Sequence, residues 1–211
     1  MDSPFALFGI LGALLVGAIS PGPSFVLVAR TSIAVSRRDG LAAALGMGAG
    51  GIVFGGLALL GLRTLLMQAG WLYLGLKLVG GLYLIYLAVK LWRGATEPLA
   101  VAATSEQSTK GLRRSFALAL ATQLSNPKTV VVYGSIFAAL LPAEPPLWMF
   151  LALPPLILLV EAGWYVVVAV AFSAARPRAA YLRSKTWIDR LAGSVMGALG
   201  LRLIVDAARP V

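Results

Sequence analysis

The sequence contains no cysteine and no histidine among its 211 residues. Without cysteine, disulfides, thiolate metal sites and CxxC redox chemistry are excluded. Without histidine, the chain lacks the side chain that most often shuttles protons and binds metals. Most nucleophile–base pairs of hydrolytic enzymes are therefore missing, and neither an HExxH nor a GxSxG motif occurs. The sequence accordingly predicts no enzyme, no bound metal and no cofactor.

Charge is also scarce, because only 12% of the residues are charged whereas 59% are hydrophobic. Soluble domains average about 25% charged and roughly 45–50% apolar residues. A soluble core of this length cannot bury so much apolar surface, and lipid is its natural solvent. The net charge of +10 lies in short loops between apolar segments. Such a distribution fits an anionic membrane face and not a nucleic acid, so we predict an all-α membrane protein.

Six apolar segments are long enough to cross a bilayer, which takes about 20 helical residues. They cover residues 5–29, 41–67, 71–91, 115–141, 147–174 and 187–207. No Lys or Arg precedes the first segment, so we expect it to be retained and not cleaved as a signal peptide. The polar stretch at 94–114 divides the chain. We predict a three-helix unit at 1–93, a cytoplasmic linker at 94–114 and a second three-helix unit at 115–211.

The orientation of the spans follows from the positions of Lys and Arg, which concentrate in cytoplasmic loops. Most of the basic residues lie in or beside the loops that follow the first, third and fifth segments, whereas the loop LPAEPP on the opposite face has none. We therefore predict that both termini are extracytoplasmic. The basic residues of the predicted cytoplasmic face are Arg30, Arg37, Arg38, Lys90, Arg93, Lys110, Arg113, Arg114, Arg176, Arg178, Arg183, Lys185 and Arg190.

An internal repeat relates the two halves of the chain. Residues 19–28 (ISPGPSFVLV) align with residues 124–133 (LSNPKTVVVY), and residues 79–87 (VGGLYLIYL) resemble residues 192–200 (AGSVMGALG). Because each half has three predicted spans, an odd number, the second copy enters the membrane from the opposite side. The pattern predicts two inverted three-helix repeats, which is the plan of many secondary transporters.

Both aligned stretches place proline inside a predicted span. Pro21 and Pro23 have no N–H group and cannot continue a helix. In Asn126-Pro127, asparagine is a good helix cap and proline suits the first helical position. Broken backbone at this depth is tolerated only against protein or water. The matched breaks predict a binding site near the membrane centre; the alternative is two kinks whose backbone groups are satisfied by neighbouring helices.

The predicted orientation points the half-helices that begin at Ser24 and Lys128 with their N-termini toward the membrane centre. Two positive dipole ends with free N–H donors suit a carboxylate, and Lys128 adds a cation beside one of them. The alternative for Lys128 is a side chain that snorkels to the interface.

Glu161 lies near the middle of the fifth segment, in LILLVEAGWYVVV. A charge at that depth costs on the order of 2.5–3.5 kcal/mol or more, and no basic residue is nearby in sequence. If the chain is proton-coupled, Glu161 is the predicted coupling residue, because there is no histidine. The alternatives are an ion pair with Lys128 and a protonated carboxyl that bridges helices.

Three pairs of glycines have GxxxG spacing, which is typical of closely packed membrane helices. We predict that they serve helix packing and not substrate binding. They are Gly46/Gly50, Gly51/Gly55 and Gly193/Gly197.

The stretches SPGPS, RRDGLAAALGMGAG, GLKLVGGLYLIYLAVKLWR, LSNPKTVV and DRLAGSVMGALGLRLI occur in this order over almost the whole chain. With them the chain resembles the LysE/RhtB family of amino-acid exporters. The resemblance implies export of amino acids or close derivatives by proton antiport across a bacterial inner membrane. Members often carry an acid in the fifth span, which Glu161 matches, and many carry histidine where this chain has Phe54. Together with Ser24, the matching positions of the expected substrate path are Pro21, Gly22, Pro23, Asn126, Pro127 and Lys128.

These observations predict a secondary transporter for amino acids and protons. One alternative is a metal-cation exporter of the same superfamily, which two converging positive helix ends and the lack of Cys and His disfavour. Another is a non-transporting membrane scaffold or assembly factor, which needs neither matched breaks nor a buried acid. The sequence leaves open which amino acid is carried, the coupling stoichiometry and whether the protein is a monomer or a homodimer.

Overall fold

The computed structural model describes residues 3–68, 70–97, 111–142 and 144–208. These residues form eight α-helices and no strand, so the all-α prediction is confirmed for them. Most of the predicted linker at 94–114 lies outside the described residues, as do both chain ends. The helices are α1 (Ser3–Ile19), α2 (Pro23–Ala34), α3 (Arg37–Gln68), α4 (Gly70–Gly94), α5 (Leu112–Leu124), α6 (Pro127–Leu140), α7 (Leu147–Phe172) and α8 (Ala175–Ala208).

Four of these helices are long and apolar enough to cross a membrane, namely α3, α4, α7 and α8. The pair α1 and α2, bent by 58°, makes a fifth candidate if it is counted as one broken span. The structure therefore supports four or five spans where the sequence predicts six. The difference lies in the predicted span 115–141, which is divided between α5 and α6. Each of these helices is only about 20 Å long at 1.5 Å per residue, and α5 begins with two arginines.

The sixth predicted segment begins earlier than expected. Residues 175–186, predicted as a basic loop, form the first turns of α8, so that only Ser173 and Ala174 separate it from α7. Pro177 does not interrupt the helix because it lies in the first turn, where a missing N–H is tolerated. Alanine and arginine, which fill this stretch, are good helix formers.

Glycines set the distances between the long helices, as the GxxxG spacing predicts. A Cβ at Gly55 of α3 would lie 2.5 Å from a side-chain carbon of Ile157 on α7. A Cβ at Gly193 of α8 would lie 2.5 Å from the indole of Trp92 on α4. In lipid, helices gain little from hiding apolar surface, so such close backbone approach is what stabilises the pairs α3–α7 and α4–α8.

The start of α3 is joined to the start of α5 by a buried carboxylate. Asp39 accepts hydrogen bonds from the Ser36 hydroxyl (2.6 Å), the Ser115 hydroxyl (2.9 Å) and the Gly111 N–H (3.1 Å). The Ser36 hydroxyl oxygen also accepts from the Asp39 N–H at 3.1 Å, so Ser36 caps the start of α3. This contact links the two halves of the chain at one end of the bundle.

The end of α4 is joined to α8 by a second polar cluster. The Lys185 ammonium pairs with Asp189 at 2.7 Å and donates to the carbonyls of Gly94 (2.9 Å) and Ala95 (3.3 Å). Both carbonyls lie at the C-terminal end of α4, where carbonyls lack a partner within the helix. The Gly94 carbonyl also accepts from the Glu97 N–H at 3.1 Å. Asp189 is thus a second buried acid of the apolar segments, but it is ion-paired.

Candidate functional site

The first predicted break is present between α1 and α2. α1 ends at Ile19, and α2 begins at Pro23, two residues after Pro21. Gly22 precedes the new helix in an extended conformation, with φ at −164° and ψ at −174°, and gives no side-chain cap. Because the two prolines cannot donate to the preceding turn, the chain changes direction by 58° here.

The second predicted break is present between α5 and α6. α5 ends at Leu124, and α6 begins at Pro127. The Asn126 side-chain oxygen accepts a hydrogen bond from the Lys128 N–H at 3.0 Å, and Pro127 occupies the first helical position. Both local roles agree with the sequence, because asparagine caps and proline initiates helices.

The two breaks are in direct contact. The Asn126 side-chain amide donates to the Ser24 hydroxyl at 3.0 Å, so the first turns of α2 and α6 meet. They differ in how the first N–H groups of the two helices are satisfied. At α6 the Lys128 N–H donates to the Asn126 side-chain oxygen. At α2 the first intrahelical bond runs from the Val26 N–H to the Gly22 carbonyl at 2.9 Å, and Gly22 has no side chain that could cap the helix. The expectation that both ends offer free donors is therefore wrong for α6, and the uncapped end is that of α2.

Lys128 binds the end of α1. Its ammonium nitrogen lies 3.2 Å from the Gly17 carbonyl oxygen and 2.9 Å from both the carbonyl and the hydroxyl oxygen of Ser20. The Gly17 carbonyl is the one that Pro21, having no N–H, leaves without a helical partner. A cation at a helix C-terminus also opposes the negative end of the dipole. Lys128 therefore bridges the two breaks.

Glu161 is buried in the centre of α7, with 3% of its surface exposed. One carboxylate oxygen accepts from the Tyr133 hydroxyl of α6 at 3.0 Å, and the other accepts from the Gln123 side-chain amide of α5 at 3.4 Å. Among the described residues, the ion pairs do not include one between Glu161 and Lys128. The carboxyl thus bridges three helices through neutral donors, and the expected alternative of an ion pair is wrong in this conformation.

Ser24 and Gln123 connect the breaks to Glu161. The Ser24 hydroxyl donates to the Gln123 side-chain oxygen at 2.6 Å. A continuous chain of side-chain hydrogen bonds thus runs from Asn126 through Ser24 and Gln123 to Glu161, and all four residues are buried. Buried polar groups joined in this way stabilise one another, and removing one leaves its neighbours unpaired.

A small cavity lies against this chain of hydrogen bonds. Its volume is about 30 Å³, which is room for about two waters. An amino acid is several times larger than a water molecule, so this conformation is too closed to hold one. Its lining comes from helices α1, α2, α5, α6 and α7 and includes Gly17, Ser20, Gly22, Ser24, Gln123, Asn126, Lys128, Thr129, Tyr133, Glu161 and Tyr165.

Two glycines of α3 make room for the polar groups. A Cβ at Gly50 would lie 2.6 Å from Gln123 Cγ, and a Cβ at Gly51 would lie 2.9 Å from the Tyr133 hydroxyl and 3.0 Å from Glu161 Cγ. The glycines predicted to serve packing therefore also allow the acid and its donors to meet.

Sequence reasoning missed Gln123, Tyr133 and Ser20. A signal for Gln123 was available, because it is the only glutamine within the six predicted segments and lies three residues before the chain's only asparagine. Tyr133 and Ser20 gave no such signal, since tyrosine and serine are common in membrane helices. Their roles depend on which helices pack together.

Phe54 lies beside the same group. Its ring centre is 5.8 Å from that of Tyr133, the residue that donates to Glu161. The Tyr133 side chain thus connects Phe54 to the buried acid. Many members of the resembled family carry histidine at the position of Phe54. In the described residues, His, Cys, Asp and Glu form no group of three or more that could hold a metal ion.

Comparison with known proteins places the chain among transporters. The profile of the LysE type translocator family matches residues 15–207. The threonine efflux protein of Escherichia coli (strain K12) is 33% identical over 193 residues, which are 91% of this chain and 94% of that protein. The threonine efflux protein of Salmonella typhimurium is 34% identical, and the uncharacterized membrane protein YahN of E. coli (strain K12) is 33% identical over 98% of this chain and 92% of that protein. No solved structure matches the chain significantly.

Proposed function

Because the chain belongs to the LysE type translocator family, we propose that it exports an amino acid or a close derivative from the cytoplasm. The observation that carries the proposal is the junction of the two helix breaks with the buried Glu161. Threonine is the first candidate substrate, since the threonine efflux proteins are similar over nine-tenths of this chain.

The breaks supply complementary groups for the two charges of an amino acid. The uncapped N-terminus of α2 and the Lys128 ammonium suit the substrate carboxylate, since helix N-termini and cations both favour an anion. Glu161 suits the substrate ammonium. In this reading Pro21, Gly22, Pro23 and Ser24 shape one side of the site, and Asn126, Pro127 and Lys128 shape the other.

Substrate entry requires the cavity to widen. The contacts that close it are the hydrogen bonds between Lys128 and the end of α1 and between Asn126 and Ser24. A substrate carboxylate competes for the Lys128 ammonium, so binding loosens the junction of the breaks. Such exchange of internal for substrate contacts is how a ligand favours one conformation over another.

Proton antiport is the proposed energy source. Glu161 takes up a proton from one side of the membrane and releases it to bind the substrate ammonium, so that proton and substrate alternate at one carboxyl. The proposed orientation has the basic residues in the cytoplasm and both termini outside a bacterial inner membrane. This orientation follows from the proposed six spans, with α1–α2 and α5–α6 as the broken first spans of two inverted repeats.

An efflux assay tests the proposal. Cells that overexpress the chain are loaded with labelled amino acids, supplied singly, and the loss of each is compared with that from cells carrying an empty vector. We expect faster loss of threonine or of a small set of related amino acids, and greater tolerance of their toxic analogues. If the overexpressing cells and the empty-vector cells lose every tested amino acid at the same rate, the proposal is contradicted. Parallel loading with divalent cations tests the metal-export alternative.

A further inference from the structure

We propose that Gln123 is a positioning residue that couples the protonation state of Glu161 to the contact between the two helix breaks. The proposal rests on the proposed function and extends it to a residue that is itself not titratable. It starts from the direction of the hydrogen bonds between Asn126, Ser24, Gln123 and Glu161.

The assignment of donors and acceptors begins with Asn126, the N-cap residue of α6. An asparagine side chain has one oxygen acceptor and one NH₂ donor. The Asn126 oxygen accepts from the Lys128 N–H at 3.0 Å, so the NH₂ group must face Ser24, 3.0 Å away. The helix cap therefore determines that Asn126 donates to Ser24.

The remaining links follow in order. The Ser24 hydroxyl accepts from Asn126 and has its single hydrogen left to donate, which it gives to the Gln123 oxygen at 2.6 Å. With its oxygen facing Ser24, Gln123 presents its NH₂ group to Glu161 at 3.4 Å. A group that can only donate thus faces the carboxyl, which must accept. The arrangement is complete when Glu161 is ionised.

Protonation of Glu161 weakens this last link in either of two ways. If the proton resides on the oxygen that faces Gln123, two donors oppose each other and the contact is lost. If it resides on the oxygen that faces Tyr133, the Gln123 bond remains but changes from charge-assisted to neutral, which is about half as strong. Gln123 is then less firmly held, and so is the Ser24 hydroxyl that joins the breaks. We expect the junction of the breaks to open about five- to tenfold more often.

The neighbourhood of Glu161 contains few other groups that could respond to pH. Titratable side chains face it only from α6 and from α7 itself in the described part of the chain; α2, α3 and α5 face it with residues that do not titrate. The titratable side chains are Tyr133, Lys128 and Tyr165, and the residues that do not titrate are Ser24, Gly51 and Gln123.

Amide hydrogen exchange on the full-length protein in lipid nanodiscs tests the coupling without transport. The readout is protection of the first turns of α2 and α6, corrected for the intrinsic pH dependence of exchange with an unstructured peptide. In the wild type we expect opening to rise about five- to tenfold from weakly alkaline to weakly acidic pH. Gln123→Met should abolish this step. A wild type without the step, or a Gln123→Met protein that retains it, would overturn the proposal.

Two further variants keep the test independent of folding defects. Ser135→Ala is the matched control, because the Ser135 hydroxyl is buried on α6 and has no hydrogen-bond partner among the described residues. The response of this variant should equal that of the wild type. Asn126→Asp keeps an oxygen to accept from Lys128 and removes only the donor that faces Ser24. Its pH response should be lost although Gln123 and the cap are present, and a normal response would overturn the assigned donor order.

Vesicles with labelled threonine separate coupling from binding. Gln123→Met should lose about tenfold more in accumulation driven by a pH gradient than in threonine–threonine exchange. An equal loss of both activities would overturn the proposal, because Gln123 would then act in substrate binding. If the wild type moves no amino acid, the proposed function fails, and hydrogen exchange still decides whether Gln123 couples Glu161 to the breaks.

Discussion

At the scale of single residues, the site is built from groups that each complete another group's hydrogen bonding. Lys128 binds carbonyls of α1 that the proline break leaves open, and Asn126 caps α6 while donating to Ser24. Glu161 accepts from Tyr133 and Gln123 and from no cation of the described residues. Each of these side chains therefore has a role that a substitution can test separately.

Glu161→Gln should abolish efflux driven by a pH gradient, because the amide can neither take up nor release a proton. Residual amino-acid exchange should become insensitive to pH. The measurement is accumulation in vesicles of purified protein with and without an imposed pH difference. Glu144→Gln, in the exposed loop before α7, is the control. If Glu161→Gln still pumps against a gradient, Glu161 is structural and the proton is carried elsewhere.

Lys128→Met should destabilise the protein by about 2 kcal/mol, since the Gly17 and Ser20 oxygens lose their donor. Efflux should fall as well, because the substrate carboxylate loses its cation. Lys90→Met removes the same charge from an exposed side chain and should change neither quantity appreciably. Thermal unfolding in detergent and efflux at matched abundance give the comparison, and equal behaviour of the two variants would contradict the bridging role.

At the scale of helices, the breaks and the glycine contacts depend on backbone properties. A proline removes a donor wherever it stands, so α1 cannot continue into α2. A glycine in a helix permits an approach that any side chain would prevent, so α3 can lie against both α5 and α7. The predictions at this scale change the backbone or its closest contacts.

Pro21→Ala together with Pro23→Ala should allow α1 and α2 to join as one straight helix. Membrane insertion should survive, whereas efflux should fall on the order of 10-fold or more, because the groups of the site are moved apart. Pro177→Ala, in the first turn of α8, is the control and should transport normally. Normal efflux by the double variant at equal abundance would show that the break does not form the site.

Gly51→Ala should destabilise the protein by about 1–3 kcal/mol through overpacking, since the new methyl would lie 2.9 Å from the Tyr133 hydroxyl and 3.0 Å from Glu161 Cγ. Transport by this variant should also fall. Gly56→Ala is the matched control on the same helix, because a Cβ there meets no atom of the described residues within 4 Å. It should stabilise the helix by up to about 1 kcal/mol. Similar melting temperatures for the two variants would contradict the packing assignment.

At the scale of the whole molecule, polar contacts among the described residues join the halves at several places along the bundle. The breaks contact each other at Ser24 and Asn126, Asp39 holds the start of α5, and Lys185 of α8 holds the end of α4. Lys185 and Asp39 bind the two ends of the polar stretch at 94–114, at Gly94 and Ala95 and at Gly111. If one half moves relative to the other, these polar contacts must break at the places where the movement occurs.

The proposed topology predicts that both termini are extracytoplasmic. A reporter that is active only outside the cytoplasm, fused after Val211, should give signal, and a fusion within the stretch 94–114 should not. The physical reason is the concentration of Lys and Arg on one face of the proposed spans. A C-terminal reporter that is active only in the cytoplasm would contradict the inverted repeat.

The local features of the site follow from neighbouring residues along the chain and were predictable. Pro21, Pro23 and Asn126-Pro127 break or start helices through their own backbone chemistry, whatever surrounds them, and the breaks occur where they were predicted. The GxxxG glycines likewise indicate close packing, because a residue without a side chain allows two helix backbones to approach in any helix pair. Glu161 was recognisable because an acid within a long apolar segment is costly wherever that segment packs.

The contacts between distant segments were not predictable from neighbouring residues. Gln123 and Ser24 lie 99 positions apart, and Lys128 reaches the Gly17 carbonyl across 111. Which donor meets which acceptor depends on the rotation and distance of packed helices, and therefore on many side chains at once. For this reason the hydrogen-bond chain through Gln123, and the neutral donors that Glu161 contacts in place of Lys128, became apparent only in the folded protein.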